Sequence, residues 1–266
     1  MIVLGVVVFV AQTAFSKMKT KVFVKDNYSD VKYLIERIPL EFDSMGELIF
    51  SGRNQVRIIR SGGYELTVKS FKKPSFLNAF VYANIRKSKA ERSFWNSRKL
   101  QKEGFSSPDP VAFVNCYNGL LLKNSYYVSL YTNYNALESV LHRGLEANTN
   151  IIKAFARFAY RLHKRGIFHK DFNVTNVLFY CKDGVYDFSL IDNNRMGFGR
   201  YSLLKGLRNL RRLTLNSEYL GVIASEYATA CGQEEIKVLN ILSYMRLRFI
   251  YKVLFKLKLK KALRLI

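Results

Sequence analysis

The stretch from residue 169 to residue 192 restricts the possible folds more than any other part of the chain. In its polar loop, Asp171 follows His169 by two positions and Asn176 follows Asp171 by five. An apolar run later ends on Asp192. Phosphoryl transfer needs a carboxylate that accepts the proton of the attacking hydroxyl, and oxygen ligands for hard Mg²⁺ ions. The pattern therefore predicts Asp171 as the catalytic base and Asn176 and Asp192 as metal ligands.

The spacing of these residues is typical of the catalytic loop of protein-kinase-like phosphotransferases. It predicts an α+β, bilobal fold with a small antiparallel β-sheet lobe and a larger, mainly helical lobe. A chain of 266 residues, 49% of them apolar, is long enough and apolar enough for two such lobes. We place the first lobe at residues 18–130, the second at 131–245, and a basic amphipathic tail helix at 246–266.

The first lobe carries a candidate nucleotide site. Three strand-like runs between residues 46 and 73 are separated by two glycine-containing turns. Lys69, near the end of the third run, has the position at which a kinase lysine contacts the α and β phosphates of the nucleotide. The turn Gly52-Arg53-Asn54 has one glycine where kinases have three, but its amides could cover phosphates and Arg53 could add charge. A lysine on a strand is usually only exposed to solvent. The position of Lys69 between this turn and the catalytic loop favours a role in binding the nucleotide phosphates.

Two further segments complete the predicted nucleotide site. Glu91, in the first turn of a predicted helix, is the candidate partner of Lys69. The alternative is that Glu91 only offsets the positive end of the helix dipole. The segment from Ser129 to Tyr131 is expected to connect the lobes and to present backbone groups to an adenine ring.

The charge of the chain indicates its possible partners. The 43 basic and 20 acidic residues give a formal net charge of +23, which suits nucleic acid, an anionic membrane or a phosphorylated substrate. Basic residues concentrate at 72–92, among aromatic side chains, and at 246–266, where there is no acid. The tail pattern fits a helix at a membrane interface. The alternatives are a helix that contacts nucleic acid and a helix with only a structural role in the second lobe. Nucleic-acid binding is disfavoured because it does not explain the loop that contains Asp171 and Asn176.

Residues 1–17 form an apolar N-terminal extension. The apolar run is short for a transmembrane helix and lacks the basic start of a signal peptide. We expect either that the native protein starts at Met18 or that the extension is a weak membrane anchor. The three cysteines lie far apart, which predicts reduced thiols rather than a disulfide framework or a zinc site.

From about residue 40 to residue 235 the sequence resembles the lipopolysaccharide kinase family, which groups Kdo kinases with the heptose kinases of the lipopolysaccharide core. Five stretches carry the resemblance: Ser51–Asn54, Thr67–Pro74, Ser88–Phe94, His169–Asn176 and Ser189–Met196. The last stretch, with Asp-Asn-Asn-Arg-Met in place of Asp-Phe-Gly, is the most specific. It argues against an ordinary Ser/Thr kinase, as does the lack of an activation loop ending in Ala-Pro-Glu.

The resemblance implies an ATP- and Mg²⁺-dependent kinase, peripheral to the cytoplasmic face of the inner membrane of a Gram-negative cell. Its substrate would be a lipid-linked sugar of the Kdo-lipid A type, and an anionic membrane surface would be a second partner. We expect a monomer. Kdo or heptose as acceptor stays open at this point, as does a protein or small-molecule acceptor. A pseudokinase scaffold is disfavoured because Lys69, Asp171, Asn176 and Asp192 are all present.

Overall fold

The fold is described from a computed structural model, which places residues 8–9, 18–144, 146–213 and 217–263. The chain forms two compact units. The first comprises residues 1–133 and 192–194, and the second comprises residues 134–191 and 195–266. The first unit contains an antiparallel sheet and the second is mainly helical, which confirms the predicted fold class. The division follows Asn133, three residues after the predicted boundary.

The first unit is built on a seven-stranded antiparallel sheet. Its strands are β1 (Val8–Phe9), β2 (Met18–Val24), β3 (Glu47–Ser51), β4 (Gln55–Ser61), β5 (Tyr64–Ser70), β6 (Pro110–Asn118) and β7 (Leu121–Leu130). They lie in the order β1-β2-β6-β7-β5-β4-β3. Gly62 and Gly63 join β4 to β5 with φ values of 60° and 77°, as a two-residue hairpin turn requires. The three strands predicted between residues 46 and 73 are therefore confirmed.

Three helices belong to the first unit: α1 (Lys32–Glu41), α2 (Phe76–Asn84) and α3 (Lys89–Lys102). Helix α3 begins where the Ser88 hydroxyl accepts a hydrogen bond from the Glu91 amide at 3.0 Å. Its Phe94 packs against Phe23 and Phe113, with ring centroids 5.0 and 5.7 Å away. These buried aromatic contacts fix α3 against the sheet.

The second unit combines four helices with short strands. The helices are α4 (Thr149–Lys164), α5 (Leu203–Leu210), α6 (Ser217–Cys231) and α7 (Glu235–Ala262). The strands are β8 (Asn135–Ala136), β9 (Ile167–His169), β10 (Val177–Lys182), β11 (Val185–Leu190) and β12 (Met196–Phe198). Strands β8, β10 and β11 form one small sheet, and β9 pairs with β12. Helix α4 ends at Lys164, and Gly166 follows with a φ of 71°, where a Cβ would collide with the Gly199 carbonyl.

The C-terminal helix differs from the predicted tail. It is a single helix of 28 residues from Glu235 to Ala262, because no glycine or proline interrupts it. Val238 and Leu242 are fully buried in its first half, whereas every residue from 251 to 263 is exposed. No described helix is long and apolar enough to cross a membrane.

Candidate active site

The catalytic loop follows β9 and is held by His169, which is fully buried. The Asp171 amide donates to Nδ1 of His169 at 3.2 Å, and Nε2 of His169 lies 3.1 Å from the Ile191 carbonyl oxygen. Because Nδ1 accepts a hydrogen bond, the hydrogen-bond network assigns the proton of a neutral imidazole to Nε2, which donates to Ile191. His169 therefore orients the loop.

A buried chain of hydrogen bonds supports this loop from the helices. Nδ2 of Asn209, on α5, donates to the His169 carbonyl at 2.6 Å. Oδ1 of Asn209 lies 3.0 Å from Nε2 of His163, whose Nδ1 lies 3.0 Å from the Tyr227 hydroxyl. Burial lowers the pKa of His163 to about 4, so the neutral ring donates to Asn209 and accepts from Tyr227. His163 is therefore a buried, neutral histidine with a structural role.

The carboxylate of Asp171 is held by two arginines. Nη1 of Arg195 donates to Oδ2 at 3.0 Å, and Nη1 of Arg212 donates to Oδ1 at 3.1 Å. The side chain of Asp171 remains 32% exposed. Charge-assisted bonds to both oxygens fix the direction of the carboxylate while leaving it open to solvent. Neither arginine has a role in the sequence-based prediction.

Asn176 is held by the same loop. Its Nδ2 donates to the Asp171 carbonyl at 2.9 Å, and its own carbonyl accepts from the Ile191 amide at 3.1 Å. Because its nitrogen is engaged by the loop, Oδ1 is the atom through which Asn176 would coordinate a cation. The predicted pairing of Asp171 and Asn176 in one loop is therefore present in the second unit.

Lys69 and Asp192, two further charged residues of the predicted site, contact each other within the first unit. Nζ of Lys69, on β5, lies 2.9 Å from Oδ1 of Asp192, to which Nδ2 of Asn194 also donates at 2.5 Å. Asp192 has a φ of 56°, a left-handed conformation that aspartate tolerates better than most residues. Strained backbone of this kind is concentrated at functional sites.

Two aspartates of this segment, Asp187 and Asp192, are alternative candidates for the metal ligand, and they differ in their position relative to β11. Strand β11 ends at Leu190, two residues before Asp192. Asp187, the alternative in the Asp-Phe-Ser stretch, lies within β11 and accepts a hydrogen bond from the Tyr134 hydroxyl at 2.9 Å. Asp187 therefore has a partner of its own within the second unit.

Asn193 ties the residues around Asp192 to α3. Its Nδ2 donates to the hydroxyls of Ser97 and Ser107, both at 2.9 Å, and its carbonyl accepts from Nδ2 of Asn96 at 2.6 Å. Asn193, Ser97 and Ser107 are all buried. These bonds explain why residues 192–194 belong to the first unit.

The predicted pair of Lys69 with Glu91 is wrong in this structure. The Glu91 carboxylate lies 3.8 Å from Nζ of Lys21 and 3.9 Å from Nζ of Lys87, while Lys69 binds Asp192. Glu91 occupies the first turn of α3, whose aromatic packing turns this end toward β2, the strand of Lys21. The sequence could not indicate which strand lysine the helix would face.

The predicted phosphate-covering turn connects β3 to β4. The Gly52 amide donates to the Asn54 carbonyl at 3.1 Å, and Oδ1 of Asn54 accepts from the Lys72 amide at 3.1 Å. Two of the three turn residues are thus engaged in holding the turn and the end of β5. Arg53 is exposed and remains a predicted phosphate contact.

The predicted connection between the lobes, from Ser129 to Tyr131, begins within the sheet. Ser129 is buried inside β7, opposite Thr67 of β5. The Tyr131 amide donates to the Glu65 carbonyl at 2.8 Å, so this amide is already hydrogen-bonded to β5. The first unit continues to Asn133, three residues past Leu130, where the ladder between β5 and β7 ends. Adenine contacts by Ser129 and Tyr131 remain a prediction.

The predicted metal ligands, Asn176 and Asp192, offer oxygen donors of the kind that Mg²⁺ prefers. The described residues contain no group of three or more His, Cys, Asp or Glu placed to hold a metal ion. A kinase-type site needs fewer protein ligands, since phosphate and water oxygens complete the coordination of Mg²⁺. The Asp192 carboxylate and the Asn176 amide oxygen are donors of this type, and they belong to the first and second unit respectively.

A family model and solved structures are similar to this chain. Residues 64–222 match the model of the lipopolysaccharide kinase (Kdo/WaaP) family. No curated protein sequence matches the chain. A solved structure of WaaP in complex with acyl carrier protein is similar, at 13% identity and a TM-score of 0.59 over 85% of this chain and 97% of the other. The Rio2 kinase of Chaetomium thermophilum has 15% identity and a TM-score of 0.44, over 72% and 59% of the two chains. At such identity the likeness to WaaP establishes the fold.

Proposed function

The chain belongs to the lipopolysaccharide kinase (Kdo/WaaP) family, since the family model matches more than half of its 266 residues, and from this we propose its reaction. It transfers the γ-phosphate of ATP to a hydroxyl of a Kdo residue on a lipid A precursor. Family membership supports a kinase of lipopolysaccharide biosynthesis. The choice of ATP, Kdo and a lipid-linked acceptor is our proposal.

The observation that carries the proposal is the geometry of Asp171. Its carboxylate is held at both oxygens by Arg195 and Arg212, and its backbone is held by His169 and Asn176. A partly exposed carboxylate in a fixed direction suits a group that must meet a hydroxyl at one angle. Two neighbouring guanidiniums also favour an acceptor that carries negative charge.

The proposed reaction is a single phosphoryl transfer. As the acceptor oxygen forms a bond to the γ-phosphorus, the bond between that phosphorus and the β–γ bridging oxygen breaks and ADP leaves. Asp171 takes the proton of the acceptor hydroxyl. Lys69 offsets the negative charge of the nucleotide phosphates, and Asp192 and Asn176 would hold Mg²⁺. When bound, Mg²⁺ neutralises charge on the phosphates.

The reaction can be tested with labelled nucleotide. Purified protein, γ-labelled ATP and Kdo-lipid A precursor should give labelled lipid, with no-acceptor and protein-acceptor reactions as controls. Asp171→Asn should reduce the rate by a factor of about 10² or more, since it removes a general base. Asp187→Asn is the matched control, because Asp187 lies within β11 and outside the site. Full activity of Asp171→Asn would refute the role of Asp171.

We also propose that the protein lies at the cytoplasmic face of the inner membrane through α7. From residue 251 to residue 263 this helix exposes apolar and lysine side chains together, and it carries no acid after Glu235. Basic residues near an anionic surface gain about 1 kcal/mol each, and exposed apolar side chains add burial. Removal of residues 251–266 should weaken sedimentation with phosphatidylglycerol vesicles without changing the melting temperature. Binding equal to that of the full chain would refute the anchor.

A protein partner is a further proposal. The WaaP structure of similar fold was determined in complex with acyl carrier protein. By that likeness we propose an acyl carrier protein as a candidate partner of this chain. Co-elution of the two purified proteins in size-exclusion chromatography would support it, and separate elution at micromolar concentrations would exclude a stable complex.

A further inference from the structure

A basic groove lies beside the catalytic loop, within the second unit. It has a volume of about 440 Å³ and is bounded by the β9–β12 ribbon and by α5 with the residues that follow it. Five of its lining residues are basic and none is acidic. The basic residues are Lys170, Lys205, Arg208, Arg211 and Arg212.

We propose that this groove binds a phosphate monoester carried by the acceptor, separate from the hydroxyl that receives the new phosphate. The inference rests on the proposed kinase function and narrows its substrate to an already phosphorylated glycolipid. The nucleotide phosphates are assigned to Lys69, which belongs to the first unit, so the groove has no part in that assignment.

Most of the positive charge of the groove is not neutralised by the residues that the structure describes. Of its five basic residues, only Arg212 makes an ion pair within the described ranges, and its partner is Asp171. Nε of Arg211 is buried and has no hydrogen-bond partner in that same part of the chain. Burial, followed by the nearby charges of Arg212 and Arg208, lowers the pKa of Arg211. A phosphate would offer these crowded donors both hydrogen bonds and opposite charge.

Phe249 of α7 holds two of the guanidiniums in place. The guanidinium carbons of Arg211 and Arg212 lie 5.6 and 5.3 Å from the centre of its ring. A cation over an aromatic face is stabilised, and the stacking limits the rotation of the guanidinium. Donors that are already ordered lose less entropy when they bind an anion.

Arg212 connects the groove to the predicted catalytic base. It lines the groove and donates to Oδ1 of Asp171 at 3.1 Å. A phosphate bound in the groove would therefore lie near the residue that meets the acceptor hydroxyl. This arrangement selects acceptors in which a phosphate and a free hydroxyl are on the same or on linked sugars.

The test compares the acceptor with the same acceptor after enzymatic removal of its lipid A phosphates. The full-length wild type should prefer the phosphorylated form in kcat/KM. Arg208→Gln and Arg211→Gln should each lower this preference about tenfold, mainly through a higher KM, because each removes a charge-assisted contact. Arg161→Gln, on the exposed face of α4 and outside the groove, is the matched control. Equal preference in wild type and variants would overturn the proposal.

A binding measurement separates this proposal from the kinase function. Retention of the labelled acceptor by the wild type and by Arg208→Gln is measured without nucleotide, so a failure of catalysis does not affect the result. Weaker retention by the variant supports the groove, and equal retention overturns it. Inorganic phosphate and phosphatidylglycerol vesicles are added as competitors. Displacement by vesicles as effective as by the unlabelled acceptor would reassign the groove to a membrane headgroup and overturn the acceptor proposal.

Discussion

Nζ of Lys69 lies 2.9 Å from Oδ1 of Asp192, which joins the lysine predicted for the phosphates to the carboxylate predicted for the metal. Their side chains are 18% and 26% exposed, so the pair is partly shielded from water. A cation and a hard oxygen donor side by side suit a metal-bound phosphate. Both residues also lie within the segment matched by the family model.

Lys69→Met should lower kcat/KM for ATP by a factor of about 10² with little change in KM for the acceptor, because the positive charge on the nucleotide phosphates is lost. The loss of one partly exposed ion pair should cost only about 1 kcal/mol in the free energy of unfolding. Initial rates at varied ATP and acceptor measure both effects. Lys72→Met, three residues away and exposed, serves as the control. A change in the acceptor KM alone would contradict the nucleotide role.

Two substitutions of Asp192 separate its charge from its backbone conformation. Asp192→Asn should raise the Mg²⁺ concentration needed for half-maximal activity while nearly preserving stability, because asparagine also tolerates the left-handed conformation. Asp192→Ala should in addition lower the free energy of unfolding by about 1 kcal/mol from the positive φ. Mg²⁺ titration of the rate and urea denaturation measure the two effects. Equal Mg²⁺ dependence in all three proteins would rule out Asp192 as a metal ligand.

The buried neutral His163 predicts a fall in stability at acid pH. Its pKa is about 4 in the folded protein and about 6.5 when unfolded, so the unfolded state binds the proton first as the pH falls. The folded state is therefore destabilised progressively from about pH 6.5 to pH 4, by at most about 3 kcal/mol. Urea midpoints at several pH values measure this loss. His163→Asn should be less stable at pH 7.5 but should show a smaller fall, and an unchanged slope would exclude His163 as the titrating group.

Alanine substitutions at two helical glycines should have opposite effects on the stability of the protein. A Cβ on Gly206 would collide with the Tyr227 hydroxyl and come within 3.2 Å of Nδ1 of His163. Gly206→Ala should therefore destabilise the protein by about 1 to 3 kcal/mol. Gly221→Ala, on α6 with nothing within 4 Å, should stabilise it by about 0.5 to 1 kcal/mol, since alanine favours the helix. Melting temperatures measure both, and stabilisation by Gly206→Ala would contradict the packing.

Local sequence patterns were sufficient for much of the fold. The alternation of apolar residues predicted β3 to β5. The order of Lys69, Asp171, Asn176 and Asp192 identified the candidate site because the motif depends on spacing along the chain. Such patterns report contacts between near neighbours in sequence.

Partners distant in sequence could not be predicted in this way. Arg212 contacts Asp171 across 41 residues, and Asn209 contacts His169 across 40. Neither contact is part of a periodic pattern, because each depends on how α5 packs against β9. The wrong partner for Glu91 has the same origin, since the direction of α3 is set by aromatic packing rather than by the spacing of charges.

Residues 192–194 belong to the first unit although they are distant from it in sequence, and this limits where the chain can be cut into fragments. A fragment ending at Asn133 would contain Lys69 without its carboxylate partner, and Ser97 and Ser107 without the amide that bridges them. The complementary fragment would present Asp192 with no surface to hold its strained backbone. Fusions, split reporters and domain exchanges cut at the boundary in sequence would thus divide the predicted nucleotide site between two polypeptides.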